Sequence, residues 1–272
     1  PDLDLFRQTR VQQSLTNILF LWTLQNEDVG YRQGMHELAA VLWKVRTDGA
    51  VQVTSPSSTG RSSASSQAAA DVPFEHALAR VFIEHDVYAL FCVLMQSAKS
   101  WYAWRDTPAD AAPSTSPPST SPSRPARPSR TSRDADKTAR NPLPIVAKCE
   151  HILELLRHID PALAQHLESL GIEPQIFCLR WIRMIFTREF ALDDAIAIWD
   201  GLFASASSLA LIDYICIAML LRIRNQLLAG DHSSTLQSLL RYPAEAQVQP
   251  SLLVKQAILM RERGHNPSTG VA

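Results

Sequence analysis

The stretch Tyr31-Arg32-Gln33-Gly34-Met35-His36-Glu37-Leu38 decides how this chain reads. Gln33-Gly34 stands just ahead of an apolar run in which Met35, Leu38, Ala39, Leu42 and Trp43 fall three and four apart. That spacing gathers them on one face of a helix. Gly34 has no Cβ, so the backbone at the start of this helix can approach a partner closely.

The same helical spacing spreads outward in both directions. Upstream, Val11, Leu15, Ile18, Leu19 and Trp22 form one stripe. Downstream, Phe74 to Met95 reads as helix, with Leu78, Val81, Phe82 and His85 on a shared face. Ile145 to His158, Gln175 to Thr187, Leu192 to Phe203, Leu209 to Leu228 and Ser251 to Arg261 also read as helix. Pro161, Pro174, Pro243 and Pro250 sit between these segments, where a helix starts or stops. Gly171 and Gly230 are candidate C-terminal caps. There is no run of alternating strands, no Gly-rich turn between a strand and a helix, and no repeat of fixed period. The fold class expected is all-α.

Two segments break this pattern. Residues 47–71 are dominated by Ser, Ala, Thr and Gly, and residues 105–143 by Pro, Ser, Thr and Arg. Neither holds enough large apolar side chains to offset the entropy of ordering, so both read as disordered insertions within one fold. Without them a core of about 200 residues remains, a single-domain size. Arg124, Arg127, Arg130 and Arg133 recur every third residue in the second insertion, with Ser129, Thr131 and Ser132 between. That reads as a solvated tether, with a phosphorylation segment or a weak contact to acidic lipid or RNA as the functional alternatives. No aromatic residue interleaves them, which speaks against specific RNA binding.

Composition narrows the function classes. The 272 residues are 46% hydrophobic and carry a net charge of −1, so no global basic field draws the chain to nucleic acid or anionic membrane. The four cysteines are scattered among apolar neighbours with no Cys-x-x-Cys pair, and read as small buried hydrophobes. The apolar run Leu209 to Leu221 is broken by Asp213 and too short to cross a bilayer. The expectation is a soluble cytosolic chain with no transmembrane segment. It begins with Pro1 rather than Met, which reads as a fragment or a processed product.

Several familiar patterns fail. His36-Glu37 would open a His-Glu-x-x-His zinc motif, but Ala40 stands where the second imidazole is needed. His151 and His158 lack a third ligand. Asp193-Asp194 lies where acids favour a helix N-terminus. Trp199-Asp200 resembles the end of a propeller blade, which the helical setting and lack of repeats exclude.

Gln33 remains. A carboxamide neither titrates nor attacks, but it accepts a hydrogen from water while donating to an oxygen. GTP hydrolysis needs a water held in line with the γ-phosphate, and glutamine serves as a water-positioning group there. On residue type alone, Gln33 reads first as a polar helix-start residue.

The segment Tyr31 to Leu38 resembles the Tyr-x-Gln-Gly-Met signature of TBC-domain Rab GTPase activators. Leu179-Arg180-Trp181-Ile182-Arg183-Met184-Ile185-Phe186-Thr187-Arg188-Glu189-Phe190 is similar to that family's Trp-x-x-x-x-Phe-x-x-x-Phe segment. Ile198-Trp199-Asp200-Gly201-Leu202-Phe203 is similar to its Ile-Trp-Asp segment. His-Glu after Gln-Gly-Met is similar to the branch linked to endosomal retromer and autophagy traffic.

The resemblance implies a two-lobed TBC domain over residues 1–265, with an N-terminal lobe at 1–104 and a C-terminal lobe at 144–265. It implies a regulator that completes a Rab's active site and is not an enzyme by itself. Gln33 would position the attacking water in place of the GTPase's own glutamine. Tyr31, Arg32 and Gly34 would hold its loop, with Tyr31 packed inward. Trp181, Trp199 and Asp200 would be structural. The partner implied is a Rab in its GTP state, which carries the GTP and magnesium; the chain needs no cofactor or metal of its own. Recruitment to endosomal membranes and trafficking-complex partners would follow.

The family pairs its glutamine with an arginine in an Ile-x-x-Asp-x-x-Arg-Thr-x-Pro motif. Pro1 matches the last residue of that motif, which sets the arginine three positions upstream, outside this chain. Arg7 and Arg10 do not match and read as polar-face residues of the first helix. The 272 residues by themselves are therefore expected to activate poorly. The rivals are a TBC-fold module that binds Rabs without activating them, and a helical scaffold with no GTPase link.

Overall fold

The computed structural model describes residues 4–50, 79–103, 142–205, 209–243 and 249–265. No β-strand occurs among the described residues. Almost all of both expected insertions, and Phe74 to Leu78 of the expected third helix, lie outside them.

After a 3-10 turn at Asp4–Arg7, the first lobe is built from α1 (Thr9–Gln25), α2 (Met35–Asp48) and α3 (Ile83–Ala98). Val11, Ile18 and Trp22 of α1 are buried, as are Met35, Leu38, Ala39, Leu42 and Trp43 of α2. Trp22 meets Phe91 of α3 edge to face, with ring centroids 5.8 Å apart, a favoured aromatic geometry. The buried Arg46 of α2 donates from Nε to Asp86 at 2.7 Å and from Nη2 to the Ala79 carbonyl at 3.2 Å.

α3 differs from the expected face. A 3-10 turn at Arg80–Phe82 precedes it, leaving Val81 76% exposed. His85 is exposed too, and the buried stripe is Ile83, Val87, Phe91, Leu94 and Ala98. Glu84 and Asp86, held by Asn17 and Arg46, fix this rotation. The span Arg80–Tyr102 is long and apolar enough by itself to cross a membrane. Here α1 and α2 cover its buried stripe.

The second lobe contains α4 (Pro144–Ile159), α5 (Pro161–Ser169), α6 (Gln175–Arg183), α7 (Leu192–Ser205), α8 (Leu211–Arg222), α9 (Arg224–Ala229), α10 (His232–Leu240) and α11 (Pro250–His265). α8 is apolar around most of its surface, with Asp213 as a buried exception, and is packed by α4, α6, α7 and α11, as a helix hydrophobic nearly all round requires. The single helix expected over Leu209 to Leu228 is instead broken at Ile223. The break frees Arg224 to pair with Asp160.

Asp160 also caps α5, accepting from the Leu163 N–H at 3.1 Å, with Pro161 in the first helical position. Gly171 ends α5 at φ +68, with Ile172 N–H bonded to Leu167 O and Gly171 N–H to Glu168 O, the paired bonds of a Schellman cap. Gly230, the other expected cap, is extended (φ −84, ψ 151) and takes no left-handed turn. Cys149, Cys178 and Cys216 are buried free thiols. Burial pushes the Cys149 thiol up to about 12.

The lobes share one core. Trp101 and Tyr102, in a 3-10 turn at Lys99–Tyr102, carry the first lobe into the second. The Tyr102 hydroxyl donates to the Arg183 carbonyl at 2.6 Å, and Arg183 Nε donates to the Trp101 carbonyl at 2.8 Å. Lys148 lies 5.8 Å above the Trp101 ring and pairs with the buried Asp213 at 2.5 Å.

Candidate functional site

α1 ends at Asn26, whose side chain donates back to the Trp22 carbonyl at 2.8 Å. The chain then turns at Gly30 (φ +64) and again at Gly34 (φ +103), which precedes α2. Between these glycines stand Tyr31, Arg32 and Gln33. Gly34 is buried and Gln33 is exposed. A Cβ on Gly34 would lie 2.8 Å from Met184 Sδ. Gly34 is thus needed both for its φ and for the closeness of Met184, and this fit sets Gln33 at the rim of the groove between the lobes.

Arg32 is half-buried; its backbone N–H points at Met35 Sδ at 3.3 Å. Tyr31 corrects an expectation, since it is 47% exposed and not packed inward. Its hydroxyl lies 2.8 Å from His36 Nδ1 on the outer face of α2. The turn at Gly30 directs the ring outward, where it braces the loop through this bond.

The opposite wall is the turn after α6. Phe186 N–H bonds to Trp181 O at 3.0 Å and Ile185 N–H to Ile182 O at 3.1 Å. These are the bonds of a Schellman cap, but no glycine is present: Ile185 and Phe186 both take positive φ (44 and 66). This stops the helix expected to reach Thr187 at Arg183. Trp199 of α7 donates from Nε1 to the Ile185 carbonyl at 2.8 Å. Trp181 is fully buried, edge-on to Phe177 and Tyr242 at 5.1 and 5.9 Å. Both tryptophans sit in structural positions. Asp200 is exposed on α7, and its side chain makes no hydrogen bond or ion pair among the described residues.

Beyond the turn, Arg188 pairs with Glu37 of α2 across the lobes. Arg180 donates from Nε to the buried Glu189 at 2.7 Å and from Nη2 to the Leu240 carbonyl at 2.7 Å. Burial raises the Glu189 pKa, with Arg180 opposing. Between the walls lies a groove of about 850 Å³ with Gln33 and Gly34 on one side and Arg180, Arg183, Arg188 and Arg241 on the others. Its chemistry is a carboxamide among guanidinium groups: it can orient a water and neutralise an anion. Arg7 is exposed and pairs with Asp4, and Arg10 is exposed on α1.

The sequence reading singled out Gln33 and the Trp181 and Trp199 segments. It missed Met184 beneath Gly34, Tyr102 and Arg183 joining the lobes, and the Glu37–Arg188 pair. Each is a contact between distant segments that periodicity does not encode.

A family model described as the Rab-GTPase-TBC domain matches residues 1–106 and 138–228. The TBC1 domain family member 5 protein of Homo sapiens is 36% identical over 269 residues, covering 98% of this chain and 31% of that protein. The chain thus spans under a third of that relative's length. The TBC1 domain family member 5 homolog B of Dictyostelium discoideum is 47% identical over 119 residues, covering 43% of this chain and 12% of that protein. Among solved structures, the Ypt/Rab-GAP domain of Gyp1p matches with a TM-score of 0.67 at 18% identity, over 96% of this chain and 69% of that one. At that identity the likeness speaks for the fold. With the family model matching well over half of the chain, in the order of its own sequence motifs, the chain belongs to the RabGAP-TBC domain family.

Proposed function

We propose that this chain accelerates GTP hydrolysis by a Rab-type GTPase, with Gln33 orienting the attacking water. The observation that carries this reading is the placement of Gln33: exposed at the rim of the groove, on a backbone fixed by Gly34 against Met184. A carboxamide carried on a fixed backbone suits water positioning, because catalysis of phosphoryl transfer is mostly positioning and electrostatics. The GTPase brings the nucleotide and its magnesium. A paired arginine, three positions upstream of Pro1 by the motif, would neutralise the transferring phosphoryl group. Such an arginine supplies roughly 10³ to 10⁵ in rate in GTPase systems. Tyr31 and Arg32 brace the loop. The setting is the cytoplasmic face of endosomal membranes.

Single-turnover GTP hydrolysis across a Rab panel tests this, using the chain extended upstream of Pro1. On a responsive Rab, Gln33→Ala should slow hydrolysis by about 10²-fold or more. Hydrolysis as fast as the parent's would show that Gln33 does not position the water. Nucleotide-dependent binding without acceleration would instead mark a binding module.

A further inference from the structure

The groove holds more positive charge than its own carboxylates balance. Of its four arginines, Arg180 is paired with Glu189 and Arg188 with Glu37. Arg183 and Arg241 face no carboxylate among the described residues. Arg183 is half-buried and held in place: its Nε bonds the Trp101 carbonyl at 2.8 Å, and its guanidinium lies 5.5 Å from the Tyr102 ring centroid. Burial pushes its pKa down, and the nearby Arg32 charge pushes the same way. A guanidinium stays charged even so. Arg241 is exposed on the far side of the same groove. A fixed, partly desolvated cation with no carboxylate beside it is an arrangement that an incoming anion stabilises.

We propose that this groove takes an acidic side chain from the surface of the GTPase, with Arg183 and Arg241 as its anchoring cations. The inference rests on the GTPase-binding reading above and names the chemistry of that contact. A carboxylate fits because the guanidinium fork binds it through two parallel hydrogen bonds. The GTPase is its source because Gln33, the residue turned toward the GTPase in that reading, shares the groove. Arg183 would act as the anchor and Arg241 as the rim charge that speeds encounter.

The test is the affinity of the full chain for a Rab loaded with a non-hydrolysable GTP analogue, measured over a range of salt. This readout needs no catalysis. Arg183→Gln should weaken binding about tenfold or more, and Arg241→Gln about threefold, mainly in the association rate. Both should flatten the salt dependence. Arg241 is exposed and its side chain makes no hydrogen bond or ion pair among the described residues, so its variant keeps the test valid if Arg183→Gln folds poorly. A Rab that binds both variants with wild-type affinity and salt slope overturns the inference and leaves the functional reading standing. Absence of any nucleotide-dependent binder sinks both. Vesicles carrying phosphoinositide supply the remaining arm. If the variants lose vesicle binding but hold the Rab normally, the groove takes a lipid headgroup and the inference is wrong.

Discussion

The loop ahead of α2 bends at Gly30 and Gly34, and the turn after α6 bends at Ile185 and Phe186; all four residues take positive φ. The glycines adopt it freely. An L-residue with a side chain pays about 1–2 kcal/mol there. Ile185 and Phe186 are both fully buried, and burying such a side chain contributes about 1.5–3 kcal/mol. Three bonds from distant elements also hold this turn, from Trp199, from Tyr102 and to Trp101. The loop that presents Gln33 is therefore shaped by its own residue types. The wall it leans on is shaped by the rest of the protein, so damage far from Gln33 can misplace it through Met184.

The largest effect is expected from cutting the tertiary hold on the turn. Trp199→Ala should destabilise the fold by ~3–5 kcal/mol, as for other large-to-small core changes. Trp199→Phe keeps most of the packing but leaves the Ile185 carbonyl without the indole N–H that it accepts. That should lower stability by ~1–3 kcal/mol in urea unfolding. A Phe variant as stable as the parent would mean that packing alone holds the turn.

The glycine wall offers a finer comparison. Gly30→Ala and Gly34→Ala both place a side chain at positive φ. At Gly30 the new Cβ meets nothing within 4 Å, whereas at Gly34 it meets Met184 Sδ at 2.8 Å. Gly30→Ala should therefore show the backbone penalty alone, about 1 kcal/mol, with activity retained. Gly34→Ala should cost about 2 kcal/mol, because φ +103 lies beyond the left-handed region that an alanine tolerates and the end of Met184 must also shift, and it should slow GTP hydrolysis by displacing Gln33. Equal losses in stability and rate for the two variants would deny Met184 any part in setting the loop.

The two walls also differ in how far they could be read in advance. Gln33-Gly34 ahead of an apolar helical stripe is visible from residue type and spacing, and the structure places those groups at the groove. The helices with clean stripes, α1 and α2, were equally legible. Ile185-Phe186 gives no turn signal, because nothing in a β-branched and an aromatic residue marks a left-handed stop; only Trp199 and the buried surroundings impose it. The break at Ile223 was hidden in the same way, inside an apolar run whose end is set by Arg224 reaching Asp160. By contrast, α5 and α10 were missed although Asp160-Pro161 and Asp231 carried start signals. Their apolar faces are short. The inward packing of Tyr31 was implied by the family resemblance alone, and the turn at Gly30 sends the ring outward instead.

The smallest expected effect separates the walls by charge. The turn after α6 is tied by Glu189, buried and bonded to Arg180, and burial raises its pKa against the opposing pull of Arg180. The sign follows from which state holds the proton. With the folded pKa above the unfolded one, the native state binds more protons through the interval between them, so stability falls as pH rises. The contribution is full below the unfolded pKa and is lost through the folded pKa. Asp213 adds a slope of the same sign, because burial raises its pKa while Lys148 opposes. Glu189→Gln keeps the side chain's size and removes its titration, and Arg180 keeps its bond to the Leu240 carbonyl. Urea midpoints taken from about pH 4 to pH 7 should therefore fall less, or rise more, with pH in Glu189→Gln than in the parent, on a background set by Asp213 and by the oppositely shifted Asp160. An identical slope in the two proteins would mean that Glu189 releases its proton at the same pH folded and unfolded. Its bond to Arg180 would then offset its burial in full, and the turn would be held, like the glycine loop, without a titrating tie.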